Sequence, residues 1–208
     1  MDKVFFMGPF IRDFSKYEIF RKVFATVLRV IAVLTAVGGF VVWVLMWKLV
    51  FEIPSAGVAG GIIFQLFFLV AIYMVVHAIF LRAKHIAGLP RGKYPIIPVI
   101  SLFLKLVGEA YAAFTAAIAV GGGILLWFAG GYGLELLENV SRYVPKYEGG
   151  TTFLSGILFL VVGIIFAFFT LVSFYFVSQL LVVFVDIAKN TGDLKKSSTR
   201  TQSSSKKS

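Results

Sequence analysis

The hydrophobic positions of this chain run on without alternating with polar ones. Four stretches, approximately 23–51, 57–81, 95–128 and 152–186, are apolar almost without interruption. A β-barrel strand would show a period of two, whereas unbroken runs of ~20 residues or more are the mark of helices that cross a bilayer. The connections between the runs are punctuated. Glu52-Ile53-Pro54-Ser55 is a tight turn, and the loop from Arg82 to Tyr94 carries Gly88, Pro90 and Gly92. Gly130 to Gly150 is longer, with Leu134, Leu137 and Val140 spaced as in a short helix. The predicted fold is all-α: a polytopic membrane protein built as a four-transmembrane-helix bundle, residues 23–186, with its helices extending into the cytoplasm.

Both flanks differ from this core. In residues 1–22, Phe10, Phe14, Tyr17 and Phe20 recur at helical spacing, with Arg12, Asp13, Lys16 and Glu18 falling largely elsewhere. That pattern fits an amphipathic lead-in on the membrane surface, and equally a solvated segment continuing helically into the first span. A signal peptide is not expected, because the apolar run begins after residue 22, is too long for the apolar core of one and shows no clear cleavage site. After Asp186 the composition changes to Lys, Ser and Thr, so residues 187–208 are expected to be disordered.

Composition strengthens the membrane reading. Of 208 residues, 59% are hydrophobic and only 14% charged, against ~45–50% and ~25% in soluble domains. There is no cysteine, which excludes disulfides, thiolate metal sites and cysteine nucleophiles. The formal net charge of +10 is unevenly placed. Basic residues concentrate in the N-terminal segment, the 82–94 loop and the C-terminal tail; the other two connections offer only Lys48, Arg142 and Lys146. By the positive-inside rule both termini are cytoplasmic. Trp43, Trp47 and Trp127 fall at the opposite ends of their spans, where interfacial anchors belong. The overall look is that of a small multi-spanning prokaryotic protein, and the expected location is a plasma membrane, the inner membrane of a bacterium. The charge is accounted for by this bias, so nucleic acid is not expected as a partner.

Counting ~20 residues inward from the tryptophan ends brings Arg29, His77, Lys105 and Glu109 to one level, the cytoplasmic boundary. The third and fourth runs continue past it, which predicts a small apolar cap there. At ~100° per residue, Lys105, Glu109, Ala112, Ala116, Ala119 and Gly123 share one stripe of the third helix. Arg29, Ala32 and Ala36 share one side of the first. Small residues let helix backbones approach closely, so these stripes are expected to pack helix one against helix three, with Glu109 bridging Arg29 and Lys105. Such a cluster is expected to be a structural clasp, since an unpaired charge at a span centre costs ~2.5–3.5 kcal/mol on insertion scales. Gly57 with Gly61, and Gly163 with Ala167, offer further small pairs.

Candidate chemistry is sparse. His77 and His85 lack carboxylate or cysteine company, so neither metal nor cofactor is expected. Ser155 and His77 lie at opposite ends of their spans, too far apart for a nucleophile and its base. Gly121-Gly122-Gly123 lacks the Lys and Ser/Thr of a phosphate loop. Asn139-Val140-Ser141 matches a glycosylation acceptor, a short pattern frequent by chance. The expected function is therefore non-enzymatic: a structural or accessory membrane subunit acting through helix packing, as a homo-oligomer or within a larger complex. Membrane lipid is a partner throughout, and anionic lipid could contact the basic tail. The alternative is a small channel or transporter formed by oligomerisation, with Glu109 and Lys105 lining a polar path.

Overall fold

The computed structural model describes residues 17–90, 96–140 and 152–205, and every regular element among them is helical. The helices are α1 (Tyr17–Glu52), α2 (Ser55–Ala87), α3 (Ile96–Ala129), α4 (Gly131–Val140) and α5 (Thr152–Ser205). Four of them are long and apolar enough to cross a membrane, over Ile19–Glu52, Gly57–Ala87, Ile96–Ala129 and Phe153–Gly192.

Local chemistry sets the breaks. Pro54 disfavours helical geometry at Ile53 and opens α2 itself with φ −53° and ψ 148°. Gly88 closes α2, its N–H reaching the Lys84 carbonyl at 3.1 Å. Between α3 and α4 the chain turns at Gly130, whose φ of 56° lies in the left-handed region that a side chain disfavours.

The long helices pack in chain order: α1 on α2, α2 on α3, and α3 on α5, while α4 folds over the end of α3. Each neighbouring pair is antiparallel. Along α1 and α2, Val50 lies beside Gly61, Gly39 beside Ile72, and the Arg21 guanidinium donates to the Leu89 carbonyl. Along α3 and α5 the matched positions are Gly123 with Gly156, Ala119 with Gly163, Gly108 with Phe174, and Ser101 with Ser178.

Two apolar clusters result. One sits at the tryptophan end, around Val50, Phe64, Leu125 and Leu137. The other sits at the basic end, around Leu28, Ala32, Ile79, Ile86, Val99 and Leu106. This second cluster joins α1, α2 and α3 at and below the level of Arg29 and Arg82, and α5 contributes no residue to it.

The centre of the fold is α3. Half of its most apolar window is buried, against 11% in α1 and 6% in α5. The three consecutive glycines explain how one helix can be gripped from two sides. A Cβ on Gly121 would stand 2.7 Å from that of Phe67 on α2, and one on Gly123 would stand 2.8 Å from the Gly156 carbonyl oxygen on α5. Neither separation accommodates a side chain, so both neighbours approach the α3 backbone directly.

Three expectations are corrected here. The small stripe of α3 packs against α5 instead of α1: Ala119 faces Gly163, Gly123 faces Gly156, and Ala112 is buried while Ala116 is half-buried. The small side of α1 is occupied by α2, with Ala32 fully buried beside Ile79 and Ala83 and with Ala36 half-buried. Second, α2 continues to Ala87, so Arg82 belongs to a helix and not to the basic loop. Third, α5 continues as helix to Ser205 through the segment expected to be disordered. Extending an existing helix adds one hydrogen bond per residue and needs no new nucleus, which lets a Ser- and Lys-rich sequence follow an apolar one.

α1 starts at Tyr17, so the end of the lead-in is continuous with the first long apolar helix. The rest of the lead-in, residues 91–95, the connection at 141–151 with Ser141 of the Asn139-Val140-Ser141 pattern, and residues 206–208 lie outside the described residues.

Candidate functional site

The polar chemistry concentrates where α2, α3 and α5 meet. Arg82 comes from α2, five residues before its end; Glu109 comes from the middle of α3; Tyr175 comes from α5. The guanidinium grips the carboxylate with two donors. Arg82 Nε donates to Glu109 Oε2 at 2.8 Å, and Arg82 Nη2 forms an ion pair with Glu109 Oε1. This fork-to-fork arrangement fixes orientation as well as charge. Arg82 Nη2 also donates to the Tyr175 hydroxyl at 3.1 Å, and that hydroxyl donates to Glu109 Oε1. The ring is closed: each member contacts the other two, and one comes from each of three helices.

Lys105 completes the set from outside. Its ammonium lies 5.4 Å from the centre of the Tyr175 ring, within cation–π range. It is one helical turn from Glu109 and half-buried. The side chains of Arg82 and Glu109 retain 13% and 22% exposure, so the clasp is shielded without being sealed.

A second polar contact joins α3 and α5 two turns along. Ser101 and Ser178 are both buried, with their hydroxyl oxygens 2.7 Å apart, and Ser178 Oγ donates to the Ser101 carbonyl at 3.0 Å. A third joins α1 and α2 near the tryptophan end. Trp43 Nε1 donates to the Gln65 backbone carbonyl at 3.1 Å, and Gln65 Nε2 reaches back to the Trp43 carbonyl at 3.4 Å. Trp127 donates to the Phe153 carbonyl at 3.0 Å and stacks on the Phe153 ring. Two of the tryptophans thus tie one helix to the next.

Of the residues singled out from sequence, Glu109 and Lys105 do meet at one site. Arg29 does not join them. It is exposed on α1, and Arg82 holds the position expected for it. The physical reason is the side of α1 that packs: Ala25, Leu28 and Ala32 are turned toward α2, and Arg29 lies around the helix from them. His77 is exposed on α2, stacked on Tyr73 with ring centres 5.9 Å apart, and takes no part. Tyr175, Ser101 and Ser178 were missed. Tyr175 carried a signal, since it stands among phenylalanines at the level where a polar ring edge finds charged partners. The serines carried none, being common in membrane helices.

No group of three His, Asp or Glu side chains able to hold a metal occurs among the described residues. No protein-family model, curated protein or solved structure matches the chain. What the geometry defines is an all-helical protein with four candidate membrane-spanning helices. Its internal charges are held in a three-helix clasp.

Proposed function

We propose that this chain is a multi-pass membrane protein with both termini in the cytoplasm, acting without catalysis as a structural or accessory subunit. The observation that carries this reading is the contrast between its centre and its flanks. α3 is buried from two sides and its Glu109 is neutralised within the chain, while α1 and α5 leave most of their apolar surface uncovered. Large uncovered apolar faces on a soluble protein mark interaction or membrane surfaces; here they occupy the full lengths of two candidate spans. Lipid and further copies or partner subunits together cover these faces in the proposed state.

Orientation draws on the same helices. Trp43, Trp47 and Trp127 lie at one end of the antiparallel array, and Arg21, Lys22, Arg29, Arg82, Lys84 and Lys105 lie toward the other. The positive-inside rule assigns the basic end to the cytoplasm.

The test is reconstitution. Purified protein in liposomes is assayed for ion flux with and without Glu109→Gln, and its mass in mild detergent is measured by light scattering with partners identified after co-purification. No flux in either form, together with a discrete oligomer or a stoichiometric partner, supports the subunit reading. Flux in the parent that Glu109→Gln abolishes overturns it in favour of a conduction path.

A further inference from the structure

We propose that the groove between α1 and α2 at the basic end binds one phospholipid with an anionic headgroup, held by Arg29 and Lys84. The proposal rests on the membrane reading above and goes beyond it by naming a site and a ligand class.

Height comes first. Gly39 packs on Ile72, and eighteen residues nearer the start of α1 Arg21 reaches the carbonyl of Leu89, which lies seventeen residues beyond Ile72. Counting between these fixed points sets Arg29 level with Arg82, so Lys84 is only two residues lower, about 3 Å along the axis.

The face comes second. On α1 the side toward α2 is marked by Ala25, Leu28, Ala32 and Gly39, and the side toward α3 by Phe24, whose ring meets Phe103. At about 100° per residue, Arg29 lies roughly 70° around from the α2 direction, on the side opposite Phe24. On α2, Gly61, Gln65 and Ile72 face α1, while Phe64, Phe67 and Arg82 face α3. Lys84 and His77 fall on the side away from α3. Arg29 and Lys84 therefore open on the same face of the α1–α2 pair, the one α3 does not cover, and both are exposed. Packed helix axes lie about 8–10 Å apart, within the combined reach of an arginine and a lysine.

Charge and apolarity select the occupant. Between Glu18 and Glu52, α1 carries no acidic residue, and α2 carries none at all. Neither cation thus has an acidic residue within two turns of it on its own helix. Lys22 shares their face but follows Glu18 by one turn, so its charge is partly answered. Away from the cations the same groove is apolar, with exposed Val33 and Phe40 on α1 and Leu69 and Tyr73 on α2. A double-chained lipid matches both parts: its phosphate meets Arg29 and Lys84, and its chains run along the groove. A soluble anion matches only the first.

The experiment is native mass spectrometry of the full chain from neutral detergent, titrated with phosphatidylglycerol or phosphatidylcholine. The parent should retain one phosphatidylglycerol in clear preference to phosphatidylcholine. A basic residue near the headgroups is worth about fivefold in affinity, so Arg29→Gln and Lys84→Gln should each weaken retention about fivefold and the pair about thirtyfold. The charge-keeping Arg29→Lys/Lys84→Arg pair should hold it near the parent level. Lys48→Gln/Lys189→Gln, removing two exposed cations elsewhere, should leave it unchanged. Equal retention of the two lipids by the parent overturns the site, as does equal loss in the Lys48/Lys189 control. Should the double glutamine variant fail to fold, the two single variants and the charge-keeping pair decide the question. A chain that alkaline carbonate strips from membranes overturns the membrane reading itself, whereas an integral chain without lipid preference overturns only this site.

Discussion

Removing Arg82 is the sharpest probe of the clasp. In Arg82→Met the guanidinium's two bonds to Glu109 and its bond to Tyr175 all vanish, leaving a shielded carboxylate with one hydroxyl and the Lys105 charge nearby. Breaking one side of a fully buried ion pair costs about 3–5 kcal/mol. The partial exposure of both side chains lets water answer some of that charge, which brings the expected loss to about 2 kcal/mol. Glu109→Met should cost about the same, because it leaves Arg82 and Lys105 without their carboxylate. The double variant replaces the pair with apolar side chains of similar length and should lose only about 1 kcal/mol. The resulting coupling is about 3 kcal/mol, at the upper end for residues in contact. Reversible unfolding in mixed micelles, followed by tryptophan fluorescence, measures it. Arg29→Met supplies the contrast, with an expected change within about 0.5 kcal/mol. If the two single losses simply add in the double variant, the clasp does not exist as described. If Arg29 couples to Glu109 in place of Arg82, the helix order is wrong.

Further variants address other contacts. Gly123→Leu drives a side chain into the Gly156 carbonyl and should cost more than the about 1–3 kcal/mol typical of overpacking, read as a lower melting temperature; Gly38→Ala, with nothing within 4 Å, should gain up to about 1 kcal/mol. Tyr175→Phe keeps the ring under Lys105 but removes the hydroxyl from Arg82 and Glu109, for an expected loss of about 1–2 kcal/mol in the same unfolding assay. Ser178→Ala should cost about 1 kcal/mol, and Ser101→Ala/Ser178→Ala less than the two single changes together, since the pair leaves no hydroxyl without its partner.

Much of the architecture was legible before any coordinates. The number of long apolar helices and their approximate limits follow from unbroken apolarity, and Pro54, Gly88 and Gly130 mark three of the breaks because each has a backbone reason to interrupt a helix. The small residues of α3 were legible as a packing face, because closeness of approach depends on side-chain size alone. Their partner was not. A helical wheel gives the faces of one helix but not which neighbour occupies each, and α3 presents two packed sides, with Ile118 and Leu125 buried as firmly as Ala119. The same ambiguity misassigned the partner of Glu109. Arg82 looked like part of a basic loop because a run of charges follows it, yet α2 holds its helical geometry for five residues more. Where a helix ends in a polar sequence depends on the packing that supports it, and Ala83 and Ile86 in the basic-end cluster supply that packing.

The length of α5 has a mechanical consequence. The Ser101–Ser178 pair ties it to α3, and twenty-seven further residues of unbroken helix extend beyond Ser178 to Ser205. That projection is about 40 Å, whereas Tyr175 sits less than one turn to the other side of the pair. Gly156, Gly163 and Phe174 also seat α5 on α3, so a sideways load on the far end is resisted along that whole seam and bends the helix beyond Ser178.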